Sequence, residues 1–234
     1  MFTSRGTAVP LFGLFDNFQV WKLHTPMDYF FFFLTIAIGV AVFYGVTQIL
    51  KKYRTPEHAV QRVAKKLKKL GGNDAATYIG KTIRCGTESQ PSELIALTAD
   101  RIYLIHVFHY GTKAYGGVNQ REWVLESGTE RRKEMNPLPA LKDQRSMLQK
   151  LFTREKAGSV PMELLLVFSD TYGRTRFQLD GVTNAIDIRD MNSWWKKRPA
   201  RFSGRLDFAK VKQILDRSLA YKQTGSELLD RSLA

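Results

Sequence analysis

SELIALTADRIYLIHVFHY, residues 92–110, holds two apolar runs separated by the dipeptide Ala99-Asp100. Residues 92–98 and 101–110 are rich in Ile, Leu, Val and Tyr, which suit a pleated and largely buried surface, and a two-residue connection is the length of a tight hairpin. The pattern predicts a pair of neighbouring strands. One step outward, residues 77–85 predict a third strand, set off from what precedes it by the turn-forming Gly71-Gly72-Asn73-Asp74. Before that turn, Thr55 can cap a helix with Pro56 at its first position, and Val60, Val63, Ala64, Leu67 and Leu70 repeat at helical spacing.

Downstream, a Gly-rich loop (Gly111, Gly116, Gly117), a short strand over 123–125 and a turn at Ser127-Gly128 lead to Asn136-Pro137. There a helix opens over 138–152, with Leu141, Met147 or Leu148, and Leu151 on one stripe. Residues 161–169 carry Leu164, Leu165, Leu166, Val167 and Phe168 without a break, as expected of a strand buried on both faces. Further strands are expected over 174–179 and 185–188, a short helix over 191–197, and a long helix over 206–221 with Phe208, Val211, Leu215 and Leu219 on one face. Helix, three strands, helix and strand in that order predict a mixed α/β layered domain. Leu215-Asp216-Arg217-Ser218-Leu219-Ala220 recurs over residues 229–234, which is read as a short duplication in the tail.

The most apolar stretch lies upstream of all these elements. YFFFFLTIAIGVAVFYGVTQIL, residues 29–50, has no charged side chain and is followed at once by Lys51, Lys52 and Arg54. As a helix it would rise roughly 33 Å, against a bilayer core of about 30 Å. A helix apolar on every face has no side to show water. A cleaved signal peptide has a shorter apolar core, with its charges before that core and small residues at its end. The expectation is a single-pass transmembrane helix. Residues 1–28, with Val9, Leu11, Phe12, Leu14, Phe15, Phe18, Val20 and Trp21, are read as an extracytoplasmic or interfacial segment.

The chain carries 36 Lys and Arg against 22 Asp and Glu, a net charge of +14. Between residues 51 and 70 lie Lys51, Lys52, Arg54, Arg62, Lys65, Lys66, Lys68 and Lys69 against the one acid Glu57, which is 8 − 1 = +7 of that total. Half of the excess therefore follows the apolar segment directly. Basic residues are retained on the cytoplasmic side, so the N-terminus is expected outside and the bulk of the chain in the cytoplasm at the cell membrane. The lone cysteine, Cys85, excludes an internal disulfide and agrees with a reducing compartment. The partners expected are the lipid bilayer, its anionic headgroups and an unidentified protein, with nucleic acid as a further class that the charge admits. Trp194-Trp195-Lys196-Lys197-Arg198 joins the basic set, so the contact residues expected for lipid or nucleic acid are Lys51, Lys52, Arg54, Lys65, Lys66, Lys69, Lys196, Lys197 and Arg198.

The runs Leu94-Ile95-Ala96-Leu97 and Arg101-Ile102-Tyr103-Leu104-Ile105-His106-Val107-Phe108-His109-Tyr110, then Gly116, Trp123-Val124-Leu125 and Asn136-Pro137-Leu138, in that order and spacing, resemble the nuclease-related domain (NERD) family. The similarity extends over roughly residues 56–198. It implies a restriction-endonuclease-like fold, a mixed sheet flanked by helices, and hence the organisation 1–28 leader, 29–50 transmembrane helix, 51–70 basic juxtamembrane helix, 71–200 nuclease-related α/β domain and 201–234 helical tail. The pair of strands 93–98 and 101–105 is also similar to bacterial pleckstrin-homology-like domains, in which Trp123, Asn136-Pro137-Leu138 and the Leu164 strand are not expected.

The family resemblance further implies metal-dependent phosphodiester hydrolysis. An aspartate in Ile-Asp-His on one strand and the glutamate of Ile-Glu-Val-Lys on the next hold Mg²⁺, and the lysine helps position water. Carried onto this sequence, the aspartate position falls on Ser92, the histidine on Glu93, the glutamate on His106 and the lysine on Phe108, while Glu57 matches a glutamate near the start of the first helix. A hydroxyl, an imidazole and a phenyl ring do not replace those groups. Strand alternation turns Glu93 away from the side that Ser92 faces. The expected function is a membrane-anchored binding or scaffolding module that has lost catalysis, without a cofactor. The alternatives are an active nuclease using Mg²⁺ or Mn²⁺ at a displaced acidic site, a transition-metal site built from Glu57, Glu93 and His106, and a non-catalytic binder of nucleic acid or anionic lipid.

Overall fold

The computed structural model describes residues 26–53, 55–170, 173–198 and 206–221. The aromatic leader, Arg54, the side chains of Lys51 and Lys52, and the second copy of the tail repeat lie outside the described residues. The chain divides into two compact units with the boundary between Leu50 and Lys51.

The first unit holds most of one helix, α1 (Pro26–Tyr53). Its segment Tyr29–Ile49 has a mean hydropathy of 2.2 and no part of it is buried within the protein. The two threonine hydroxyls in this segment bond back to the helix itself: Thr35 Oγ1 donates to the Phe31 carbonyl and Thr47 Oγ1 to that of Tyr44, both at 2.8 Å.

In the second unit the elements run α2 (Pro56–Gly71), β1 (Ala76–Cys85), β2 (Glu88–Leu97), β3 (Ile102–Phe108), β4 (Lys113–Gly117), β5 (Glu122–Ser127), β6 (Glu130–Met135), α3 (Leu138–Arg154), β7 (Met162–Phe168), β8 (Arg176–Asp180), β9 (Ala185–Asp187), α4 (Met191–Lys197), α5 (Phe208–Ser218) and β10 (Leu219–Tyr221). Thr55 caps α2 by accepting from the His58 amide, and Pro56 starts the helix. The main sheet has the order β10-β1-β2-β3-β7-β9. Pairing is antiparallel from β10 to β3 and parallel through β7 to β9. The α/β core flanked by helices follows the expected order, with three antiparallel strands and then a parallel β7 buried in the middle.

Helices cover both faces. On one, Ala59, Val63 and Leu67 of α2 and Met191 of α4 pack against Leu94, Ala96, Tyr103, Ile105 and Val167. On the other, Leu148 and Leu151 of α3 and Val211 and Leu215 of α5 meet Ile95, Leu97, Ile102, Leu104 and Phe168. Burying such side chains contributes about 1.5–3 kcal/mol each.

Two features differ from the sequence expectation. The Gly-rich loop contains strand β4, and the charged run Glu130–Met135 is strand β6. With β5 and β8 they form a second sheet of order β6-β5-β4-β8. Exposure hid β6: nearly every side chain on it meets solvent, and it is held by backbone pairing to β5 across a turn in which Gly128 adopts φ +63°. The long C-terminal helix also stops early, because residues 219–221 pair with the edge of β1. Leu219 reaches the same core in either conformation, so its periodicity could not separate the two.

Gly116 on β4 fits under the fully buried Trp123, where an added Cβ would stand 2.4 Å from the indole. Gly116→Ala is therefore expected to cost about 1–3 kcal/mol of stability, read as a lower urea midpoint with an unchanged slope.

Candidate functional site

Alternation along β2 and β3 sorts the expected site residues by face. Leu94 and Ala96 pack on the α2 side, so Ser92 shares that side; Ile95 and Leu97 pack on the α3 side, and Glu93 shares that one. On β3, Phe108 lies with Ile102 and Leu104 on the α3 side, and His106 has the same parity. Ser92 therefore does not join His106 and Phe108. The carboxylate that converges with them is Glu93, one residue along from Ser92. Glu57 stands exposed in the first turn of α2, which covers the opposite face.

The Glu93 carboxylate is engaged. Its Oε2 lies 2.8 Å from His106 Nδ1 and accepts the Val107 amide at 3.1 Å. The β2–β3 register runs from Leu97↔Ile102 to Leu94↔Ile105, so a side chain takes over the next amide just where the backbone ladder stops. The His106 ring meets Phe108 edge-on at 4.6 Å. Phe108, 3 % exposed, stacks on Phe168 at 4.4 Å and on Trp123 at 5.9 Å. The place of the family lysine is the interior of an aromatic cluster.

These residues do not fit the metal that the family implies. Mg²⁺ demands several hard oxygen ligands in near-octahedral array, whereas one carboxylate, already bonded to an imidazole and an amide, faces a phenyl ring. Among the described residues, no three His, Cys, Asp or Glu side chains gather into a group that could hold a metal ion. Glu57, Glu93 and His106 are thus not brought together, although Glu93 and His106 are.

The basic residues separate into committed and uncommitted ones. Arg198 lies 3.6 Å over the Trp195 ring, donates to the Tyr103 hydroxyl at 3.0 Å and pairs with Asp100 at 3.4 Å. It is a structural clamp. Lys66 donates to the Ile188 carbonyl at 2.5 Å. Lys65, Lys69, Lys196 and Lys197 are exposed, as is Lys68. Asp100 also holds the fully buried Arg101 at 2.8 Å, with Glu163 on the other side of that guanidinium at 2.7 Å. Burial would raise the Asp100 carboxyl, but the Thr98 hydroxyl, Arg198 and Arg101 outweigh it and hold it below the usual carboxylate range.

Sequence reasoning missed a polar cluster at the end of β7. Arg62 Nη2 donates to the Ser169 carbonyl at 2.9 Å and Arg189 Nη2 to the Asp170 carbonyl at 3.1 Å. Burial and then Arg189 lower the Arg62 pKa from its ordinary value, with Asp170 acting in the opposite sense. The position of Arg62 beside the buried Val63 was the only signal. In a run of basic residues it read as solvated.

Two outcomes follow from these contacts. Phe108→Ala is expected to cost about 3–5 kcal/mol in equilibrium unfolding, the loss proper to a core ring. A folded-state pKa held low contributes stability above the unfolded value of about 3.9 and loses it as pH falls through the folded value. Asp100→Asn should therefore lower the melting temperature at neutral pH, and the deficit should shrink as the pH is taken progressively below about 3.9.

No curated protein and no solved structure matches the chain. The family model described as the nuclease-related domain matches residues 55–169, from the N-cap of α2 to the residue after β7. Helix, antiparallel strands, helix and central parallel strand all fall inside that match, so over these residues the chain is similar to the nuclease-related domain (NERD) family.

Proposed function

We propose that this nuclease-related domain no longer hydrolyses phosphodiesters and serves as a binding or scaffolding module held at the cytoplasmic face of the cell membrane by α1. The observation that carries the reading is the burial of Phe108 between Phe168 and Trp123. Catalysis in this family needs a cation near the developing charge on phosphorus. A stacked phenyl ring supplies none, and placing an ammonium there would bury an unpaired charge. His106 in the glutamate position, tied to Glu93, removes a second hard ligand.

The anchor is supported by the segment Tyr29–Ile49, apolar and unburied. It is supported also by the Thr35 and Thr47 hydroxyls, which bond back to carbonyls of their own helix, as suits a lipid-exposed helix. The basic run that follows favours a cytoplasmic domain. An apolar core of this length, with its charges after it, is what a stop-transfer anchor has and a signal peptide lacks.

The full chain, purified in detergent with Mg²⁺ or Mn²⁺, is expected to leave single- and double-stranded DNA and RNA intact to the same extent as its Glu93→Gln variant. Metal-dependent cleavage abolished by Glu57→Gln or Glu93→Gln would overturn the reading in favour of a nuclease with a displaced acidic site.

A further inference from the structure

We infer that the face made by α2 and α4 is a docking surface for anionic lipid headgroups, which lays the domain against the bilayer. The inference rests on the reading of α1 as a membrane anchor. The buried stripe Ala59, Val60, Val63, Ala64 and Leu67 turns α2 so that Lys65, Lys68 and Lys69 face solvent. Lys196 and Lys197, in the last turn of α4, are exposed and come from an element that covers the same face of the sheet. The two helices meet where Trp195 lies 3.8 Å from the position of a Cβ on Gly71, the last residue of α2. Lysines separated by more than a hundred residues in sequence thus share one surface. Among the described residues none of these five forms an ion pair, Asp190 before α4 is already paired to Arg174 at 2.9 Å, and Asp100 is paired to Arg198 and Arg101.

Connectivity and aromatic geometry choose the occupant. Only Arg54 and Thr55 separate the last residue of α1 from the first of α2, at most about 11 Å of extended chain. With α1 in a bilayer, the start of α2 is held near the headgroup layer, so the lysine surface is tethered close by and needs little intrinsic affinity to stay bound. Sequence-tolerant nucleic-acid binders stack bases on open aromatic faces. Here Arg198 covers the Trp195 ring at 3.6 Å, and Tyr103 meets Trp194 edge-on at 5.5 Å. Half-buried tryptophans flanked by lysines suit headgroup depth, and an exposed lysine surface needs no groove to attract anionic lipid.

The test uses the full chain reconstituted in nanodiscs of phosphatidylcholine alone or with about one-third phosphatidylserine. Lysine acylation rates are read residue by residue by mass spectrometry. Lys65, Lys68, Lys69, Lys196 and Lys197 are expected to react roughly threefold or more slowly in the anionic discs, with the protection removed by high salt. Lys142 and Lys150, exposed on α3 at the other face of the sheet, should react alike in both. The double variant Lys196→Gln/Lys197→Gln should restore part of the reactivity of Lys65, Lys68 and Lys69. Equal rates in both discs, protection spread equally to Lys142 and Lys150, or protection that requires added RNA and ignores lipid charge would each overturn the inference. Failure of the chain to remain in discs through gel filtration overturns the anchor reading instead, and the nuclease assay is independent of both.

Discussion

Phe108 joins the two sheets. It extends from the parallel pair β3–β7 in the main sheet and stacks on Phe168 within that sheet and on Trp123 of β5 in the smaller one. Trp123 in turn requires a glycine beside it on β4 and gives its indole N–H to the Gly117 carbonyl at 3.0 Å. Aromatic pairs in such arrangements add stability beyond their buried area. The small sheet, with exposed β6 at its edge, is held to the core by this contact, by Phe177 against Phe168 at 5.1 Å and by the buried Ala114 and Leu125.

The same contact decides the chemistry. A strand position can present a side chain to solvent and substrate or to the interior, and Phe108 is committed to the interior. Its neighbour on the same face, His106, is bonded to Glu93, which also closes the end of the β2–β3 ladder through the Val107 amide. In the family these strand positions are associated with charged groups that act on a phosphodiester. Here each of them is consumed by a contact that stabilises the fold.

Polar groups elsewhere follow the same division. Arg101, with no exposed side-chain surface, is held between Asp100 and Glu163, and Arg198 closes the set over Trp195. Of the basic residues that composition alone could not distinguish, Arg62, Lys66 and Arg198 are tied to specific carbonyls, hydroxyls or carboxylates. Lys65, Lys68, Lys69, Lys196 and Lys197 remain exposed on α2 and α4, while Lys142 and Lys150 are exposed on α3.

Local sequence determined the elements whose pattern is local. The apolar segment 29–50, the Thr55-Pro56 helix start, the hairpin at Ala99-Asp100 and the buried run Leu164 to Phe168 follow from spacing, capping and composition. Family resemblance added the positions where catalytic groups should stand. Only the tertiary structure decided what long-range contacts decide. It made β6 and β10 strands, since both are held by pairing with a partner strand rather than by their own preferences. It placed Glu93 rather than Ser92 on the face of His106 and Phe108, since a one-residue shift along a strand reverses the face. It also separated the clamped arginines from the free lysines, since a charge in a sequence does not reveal its partner. Periodicity can say that a side chain is buried, but not against what, and at this site the neighbour settles the chemistry.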